Sequence, residues 1–115
     1  MFKTRMDMRF GNTDNVIFPD MVLQVLMHNL NSYAEMNLYF LNGAEERKPQ
    51  YLNKTQLRAL TGQSEKINNE AVARLEGACL VNWGEEERAK MYYLTVNGKR
   101  LCELLNGRDS QDVQQ

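Results

Sequence analysis

Few side chains in this 115-residue sequence have the types and spacing that catalysis or metal binding requires. The single histidine, His28, lies in an apolar segment, and Cys79 and Cys102 do not have the spacing of metal ligands. Three consecutive glutamates at positions 85–87 lie in a polar stretch without a partner for acid–base chemistry. We therefore predict that the chain is not an enzyme and that it binds no metal or cofactor.

The remaining candidates are cationic and amide side chains between residues 54 and 74, which two helices must position. Asn53 can accept from the open backbone N–H groups of a helix start, and Gln56 stands three residues later, as in a capping box. In the helix that follows, the leucines fall on one face, while Lys54 and Arg58 fall on the other. This pattern predicts a short amphipathic helix with two exposed cations.

A glycine turn and a second capped helix follow at once. Gly62 can adopt the left-handed conformation common at helix ends, and Ser64 can cap a helix over about 65–78. Two helices joined by such a short turn form a helix-turn-helix pattern. Asn68 and Asn69 are poor helix formers in mid-helix, which favours a role in binding for both.

The next segments predict a two-stranded ribbon and a closing helix. Residues 80–83 and 91–95 are rich in β-formers, and the polar stretch 84–90 between them is typical of a hairpin loop. Residues 97–105 predict a helix with its leucines on one side.

Residues 51–96 resemble the winged helix-turn-helix domain of bacterial and phage-type transcriptional regulators. Residues 74–81 are similar to the end of the family's recognition helix, and the pattern Tyr93-Leu94-Thr95-x-x-Gly98-x-x-Leu101 is similar to its exit from the wing. The resemblance implies a mainly α fold with a small β-ribbon (α+β). The helix-turn-helix would span about 53–78 and the wing about 80–95, with an additional N-terminal helix and a C-terminal helix.

The resemblance also implies a DNA-binding site. The helix that begins after Ser64 would enter the major groove of double-stranded DNA, where Asn69 could bind adenine and Glu70 could accept from cytosine. Phosphate contacts would come from cations on the helices and the wing. The implied DNA-binding residues are Lys54, Arg58, Ser64, Lys66, Asn69, Glu70, Arg74, Arg88 and Lys90.

Two features depart from the family pattern. Glu70 stands where family members often carry Arg or Lys, and the wing tip carries Glu85, Glu86 and Glu87 where basic residues are usual. Carboxylates close to phosphates are unfavourable. A different function therefore stays open, in which the winged helix is a protein-interaction module. Its acidic wing would then bind polymerase, a replication protein or another regulator.

Composition limits the class of protein. A hydrophobic content of 43% and a charged content of 25% are those of an ordinary globular domain, and no apolar run is long enough to span a membrane. The N-terminus lacks the apolar core of a signal peptide, so we predict a cytoplasmic protein. The formal net charge of −1 means that any affinity for DNA must come from local patches or from pairing of subunits.

The N-terminal half predicts an arm and two helices. Residues 1–18 are expected to form a partly ordered arm, in which the alternation at 6–10 indicates a short strand. Pro19 and Asp20 favour a helix over about 20–30, and Ser32 with Glu35 favours the start of a second helix over about 33–42. Residues 19–106 would form a single winged-helix domain, followed by a disordered tail at 107–115.

The first of these helices is apolar around more than one face, which favours burial on two sides. In a domain of this size, one side is expected to contact a second subunit. We therefore predict a homodimer formed through residues about 20–30 and 97–105. The preferred interpretation is a dimeric, sequence-specific DNA-binding protein that regulates transcription. A fragment that initiates DNA or plasmid replication shares the fold and stays open.

Overall fold

The computed structural model describes residues 3–4, 16–45 and 51–114, and side chains are described for 16–44 and 51–107. Most of the predicted N-terminal arm, including its strand at 6–10, lies outside the described residues. The elements follow the order β1 (Lys3–Thr4), α1 (Asp20–Asn29), α2 (Ser32–Glu45), α3 (Lys54–Thr61), α4 (Glu65–Gly77), β2 (Val81–Glu86), β3 (Ala89–Leu94) and α5 (Val96–Gln114).

The helix-turn-helix forms through the local signals that predicted it. The Asn53 side chain accepts from the Gln56 N–H at 2.8 Å, and the Gln56 side chain accepts from the Asn53 N–H at 2.9 Å, which confirms the capping box. Gly62 ends α3 with a φ of 72°, and Ser64 caps α4 by accepting from the Ile67 N–H at 3.2 Å. These caps fix where α3 ends and where α4 begins.

The break between α1 and α2 lies where the sequence predicted it, but another residue forms the cap. Asn31 accepts from the Ala34 N–H at 2.9 Å, and Ser32 is the first helical residue. Asn and Ser are both strong N-cap residues, so either could have served. The prediction of Ser32 as the cap was wrong by one position.

Helix α4 ends in a left-handed residue that is not glycine. Cys79 has a φ of 62°; its N–H donates to the Glu76 carbonyl, and the Leu80 N–H donates to the Leu75 carbonyl, each at 3.0 Å. These two bonds form a Schellman motif, which satisfies carbonyls at the helix end. The motif turns the chain directly into β2.

The wing lies within the predicted range of about 80–95, but its strands are longer and its turn is tighter than the sequence predicted. Strands β2 and β3 pair antiparallel from Val81–Leu94 to Glu86–Ala89. Only Glu87 and Arg88 connect them, with φ of 50° and 67°. Two-residue hairpin turns need positive φ at both positions, usually from Asn or Gly, so a turn of Glu and Arg gave no sequence signal. The predicted seven-residue loop at 84–90 was therefore wrong.

Two further pairings extend this ribbon. Leu52 and Tyr92 exchange backbone hydrogen bonds at 3.2 and 2.8 Å, which attaches the segment before α3 to the wing. On the other edge, β1 pairs antiparallel with β2, and the strand order is β1-β2-β3.

The core lies between α2 and the elements around it. Fully buried leucines from all five helices and from the residue before β2 form its centre: Leu23, Leu38, Leu41, Leu57, Leu75, Leu80 and Leu101. Helix α5 approaches this core closely at Gly98, where a Cβ would clash with the Leu80 carbonyl oxygen. The glycine that carried part of the family resemblance therefore meets a packing requirement.

Helix α5 also holds the segment before α1. The Asn97 side chain accepts from the Phe18 N–H at 2.9 Å and donates to the Val16 carbonyl at 2.7 Å. Arg100 donates to the Phe18 carbonyl and pairs with Asp20. These contacts join α1 to α5, the two segments predicted to form the dimer.

The end of α5 differs from the sequence prediction. The helix was expected to end near residue 105 and to be followed by a disordered tail at 107–115, yet α5 continues to Gln114. No proline follows Leu105, and a helix that has already nucleated can add residues at little cost. In the part of the chain that the structure describes, no helix is long and apolar enough to cross a membrane.

Candidate nucleic-acid interface

The N-terminal half of α4 presents a polar groove at the surface. Ser64, Glu65, Lys66, Asn69 and Glu70 line this open groove together. All of them are exposed except Asn69, which is half-buried. Four of the predicted DNA-binding residues therefore lie side by side, at the end of the helix where backbone N–H groups and the helix dipole favour anions.

Lys66 lines this groove, and three further cations lie on the same helix-turn-helix. Lys66 and Arg74 are exposed on α4, and Lys54 and Arg58 are half-buried on α3. None of the four forms an ion pair within the described residues. The Lys54 Nζ lies 6.0 Å from the centroid of the Tyr92 ring, at the outer limit of a cation–π interaction. Their charges are therefore available to an external anion.

Arg58 is the most constrained of these cations. Its Nε is buried, and no hydrogen-bond acceptor within the described residues reaches it. A buried donor without a partner is costly, whereas a phosphate oxygen is a strong acceptor for a guanidinium group. This orphaned donor favours a bound anion over simple solvation of the side chain.

The helix-turn-helix is slightly more positive than the chain as a whole. The segment from Lys54 to Gly77 contains four cations and three carboxylates, while the whole chain carries −1. The excess of positive charge on the helix-turn-helix is therefore small. Glu65 and Glu70 lie within the groove itself and would restrict close approach of phosphate to its edges.

The wing cations lie outside the groove. The Lys90 Nζ lies 4.4 Å from the centroid of the Trp83 ring, so the lysine folds back over the ribbon. Arg88 is exposed at the turn, beside the exposed carboxylates Glu85, Glu86 and Glu87. The geometry therefore does not join Arg88 and Lys90 to the α4 groove, and their DNA contacts stay predictions.

Sequence analysis favoured binding roles for two adjacent asparagines, and the structure separates them. Asn69 lines the groove, whereas Asn68 is fully buried. The Asn68 side chain donates to the side-chain oxygens of Asn37 at 2.9 Å and Gln63 at 3.2 Å. Asn68 lies three residues before Ala71 and four before Val72, and this helical spacing from two buried residues was the signal that could have predicted its burial.

Asn37, Gln63 and Asn68, which we name the amide cluster, join three parts of the fold. Asn37 lies on α2, Gln63 lies in the turn and Asn68 lies on α4. The Asn37 amide nitrogen donates to Gln63 at 3.0 Å and to the Tyr33 carbonyl at 2.9 Å, and the Gln63 nitrogen donates to the same carbonyl at 3.1 Å. Among the buried side-chain atoms of the amide cluster, only the Asn68 oxygen lacks a hydrogen-bond partner within the described residues.

A second concave surface lies between α2 and α5. This cleft has a volume of about 260 Å³, and its lining combines polar and apolar side chains: Ser32, Glu35, Met36, Tyr39, Asn42, Cys102, Leu105 and Asn106. No lysine or arginine contributes to it. The α2–α5 cleft therefore lacks the cations that a phosphate backbone requires, unlike the groove on α4.

Neither a protein-family model nor a curated protein matches the chain. Among solved structures, MepR, a transcription regulator of the Staphylococcus aureus multidrug efflux pump MepA, is similar with a TM-score of 0.70 and 16% identity, over 83% of this chain and 70% of MepR. NMB1585, a MarR family regulator from Neisseria meningitidis, is similar with a TM-score of 0.58 and 18% identity, over 80% of this chain and 63% of its own. The chain therefore has the winged helix-turn-helix fold of these regulators, as the sequence resemblance implied.

Proposed function

We propose that this chain is a sequence-specific DNA-binding protein, a small transcriptional regulator that acts as a dimer in the cytoplasm with α4 in the major groove of double-stranded DNA. The observation that carries the proposal is the polar groove of α4, which Lys66 lines. Three further cations of the helix-turn-helix, Lys54, Arg58 and Arg74, likewise have no ion-pair partner within the described residues. A helix presented in this way can bring side chains to base edges while nearby cations hold phosphates. Both similar structures, MepR and NMB1585, are regulators, which supports the same function here.

The proposal assigns different roles to the groove and its surroundings. Asn69 binds adenine through paired donor and acceptor bonds, and Glu70 accepts from cytosine N4. The negative charge of Glu70 is favourable in that contact, because the cytosine amino group is a donor. Ser64 and Lys66 contact the edge of the DNA major groove. Phosphate contacts come from Lys54, Arg58 and Arg74, with Arg88 and Lys90 reaching the backbone from the wing.

The surface of α1 supports a homodimer. Val25 and Met21 are 54% and 78% exposed on α1, and Ile17 just before it is 68% exposed. Large apolar side chains exposed together favour burial against another protein surface. Helix α5 contacts α1 through the Arg100–Asp20 pair and the segment before α1 through Asn97, so residues about 20–30 and 97–105 are neighbours that could contribute to one dimer surface. Such a dimer should bind inverted half-sites about one helical turn of DNA apart.

A salt titration with a random pool of duplex DNA tests the proposal directly. Fluorescence anisotropy should show binding that weakens steeply with salt, with a subset of sequences retained at about 150 mM. Asn69→Ala should relax the base preference of that subset at one position, by about 1–3 kcal/mol. An Asn69→Ala protein that selects the same sequences as the wild type would contradict the assignment of Asn69 to base recognition.

A protein-interaction module is the second candidate, and the acidic wing favours it. Glu85, Glu86 and Glu87 are all exposed at the end of the ribbon, where they repel phosphates and attract a basic protein surface. Replacing all three with Gln should strengthen DNA binding if the chain is a DNA reader. Absence of DNA binding at low salt, with loss of a captured polymerase, replication protein or regulator in the same variant, would support the module instead.

A further inference from the structure

The part of α4 that faces the groove has little apolar anchoring of its own. The fully buried side chains of α4 are Asn68, Ala71, Val72 and Leu75, so its apolar anchors all lie in the C-terminal half. Among residues 65–70, Asn68 is the only fully buried side chain. The N-terminal half is therefore held from the inside by a polar residue that belongs to the amide cluster.

We propose that the amide cluster of Asn37, Gln63 and Asn68 positions α4 for base recognition, so that these three buried residues determine sequence specificity without contacting DNA. The inference rests on the proposed function. Hydrogen bonds are directional, whereas apolar contacts allow a helix to slide or rotate slightly against its neighbours. Bonds at 2.9 and 3.2 Å from Asn68 to two separate elements therefore fix both the rotation and the axial position of α4.

The hydrogen-bond inventory of the cluster supports a positioning role. The three amide groups have six N–H bonds to donate, and each amide nitrogen has two acceptors: Asn37 has Gln63 and Tyr33, Asn68 has Asn37 and Gln63, and Gln63 has Tyr33 and the Met36 sulfur at 3.8 Å. A network satisfied to this extent permits one arrangement of its members. In some proteins, buried polar groups specify a single geometry while adding little stability, and the proposal gives the amide cluster that role.

One member of the amide cluster is adjacent in sequence to residues that line the α4 groove. Asn68 immediately precedes Asn69, and its backbone N–H donates to the Ser64 carbonyl at 2.9 Å. Asn68 is thus bonded at its backbone to a residue of the groove and at its side chain to α2. A small rotation of α4 would displace Asn69 and Glu70, which form directional bonds with bases, more seriously than it would disturb lysine contacts with phosphates.

The test compares specific with non-specific binding in a variant whose cluster is apolar. Asn37→Leu, Gln63→Met and Asn68→Leu are combined, because removing all three amide groups together leaves none of the three unsatisfied. The specific probe is the duplex that the wild type retains from a random pool at about 150 mM salt, and the non-specific probe is its shuffled sequence. Circular dichroism establishes that the variant is folded at the assay temperature.

The specificity ratio between these probes should fall at least about tenfold, the equivalent of one good base contact, while binding to the shuffled duplex and its salt dependence are unchanged. Leu41→Val is the matched control, since Leu41 is also fully buried on α2, and it should keep the wild-type ratio. Gln63→Met alone provides a milder variant should the triple variant not fold, with a fall of about threefold or more expected.

An unchanged ratio in the folded variants would overturn the positioning role and leave the proposed function intact. An equal loss of affinity for both probes would also overturn it, since that result indicates general structural damage. A wild-type protein that retains no preferred sequence would instead reject the proposed function, and the inference with it.

Discussion

The packing of Gly98 predicts that replacing glycine with alanine has opposite effects on stability at Gly98 and at Gly77. A Cβ at position 98 would lie far inside the contact distance of the Leu80 carbonyl oxygen and 3.3 Å from the Leu94 side chain. Gly77, the last residue of α4, has nothing within 4 Å of its Cβ position. Gly98→Ala should therefore destabilise the protein, and Gly77→Ala should stabilise it.

The magnitudes follow from the contacts. Alanine in place of a helical glycine gains about 0.5–1 kcal/mol at Gly77. At Gly98 the Leu80 carbonyl would have to move by roughly 1 Å, which disturbs its hydrogen bond from the Thr95 N–H, now 3.1 Å long. Overpacking and the lost bond outweigh the helix gain, for a net loss of about 2–4 kcal/mol.

Thermal unfolding of the two variants at one protein concentration measures the difference. For a chain of this length, 1 kcal/mol corresponds to about 4 °C in Tm, so Gly98→Ala should lower Tm by about 8–16 °C and Gly77→Ala should raise it by about 2–4 °C. Equal shifts of the same sign would show that helix propensity dominates at both positions. That result would refute the close approach of α5 to the start of β2.

Three further predictions concern local contacts. The Thr95 hydroxyl accepts from the Gly98 N–H at 3.1 Å and donates to the Cys79 carbonyl at 2.7 Å. Thr95→Val should therefore lower the free energy of unfolding by about 2 kcal/mol in a denaturant titration, and Thr95→Ser should lower it less. Replacing Glu87 and Arg88 with Asn-Gly should raise Tm by about 4–8 °C, because both residues have positive φ; an unchanged Tm would show that the turn is not strained. Cys79→Gly should relieve the same kind of strain at the end of α4 and raise Tm by about 2–4 °C, whereas a lower Tm would show that the lost thiol packing dominates.

The sequence predicted the parts of the fold that depend on residues close together in the chain. The capping box at Asn53, the glycine turn at Gly62 and the cap at Ser64 each need only a few neighbouring residues, and all three are confirmed. Gly98 was found through its resemblance to the family pattern rather than through any local rule. Its physical reason, the approach to Leu80, is a contact between residues distant in the chain.

What the sequence could not predict depends on tertiary contacts or on unusual turn residues. Asn68 pairs with Asn37, 31 residues away in the sequence. The one local signal that distinguishes Asn68 from Asn69 is its helical spacing from the buried residues Ala71 and Val72. The two-residue turn of Glu87 and Arg88 lacks the glycine or asparagine that marks such turns. Four of the nine predicted DNA-binding residues share a groove, while the roles of all nine in DNA binding stay predictions.

Arg58 provides a test in which stability and binding should change in opposite directions. Its Nε is buried without a hydrogen-bond partner, so the unbound protein bears a desolvation cost that a DNA phosphate would relieve. Arg58→Met keeps the packing of the side-chain stem and removes the orphaned donor, and it should stabilise the unbound protein by about 1 kcal/mol.

The same substitution should weaken DNA binding and reduce the salt slope by about 0.9, the contribution of one phosphate contact. Arg74→Met is the control, because Arg74 is exposed: it should reduce the slope similarly with a stability change within about 0.5 kcal/mol. A less stable Arg58→Met protein would mean that Arg58 supports the fold, and an unchanged salt slope would remove it from the DNA interface. Stabilisation together with weaker binding is the outcome that only a cation held for an external anion explains.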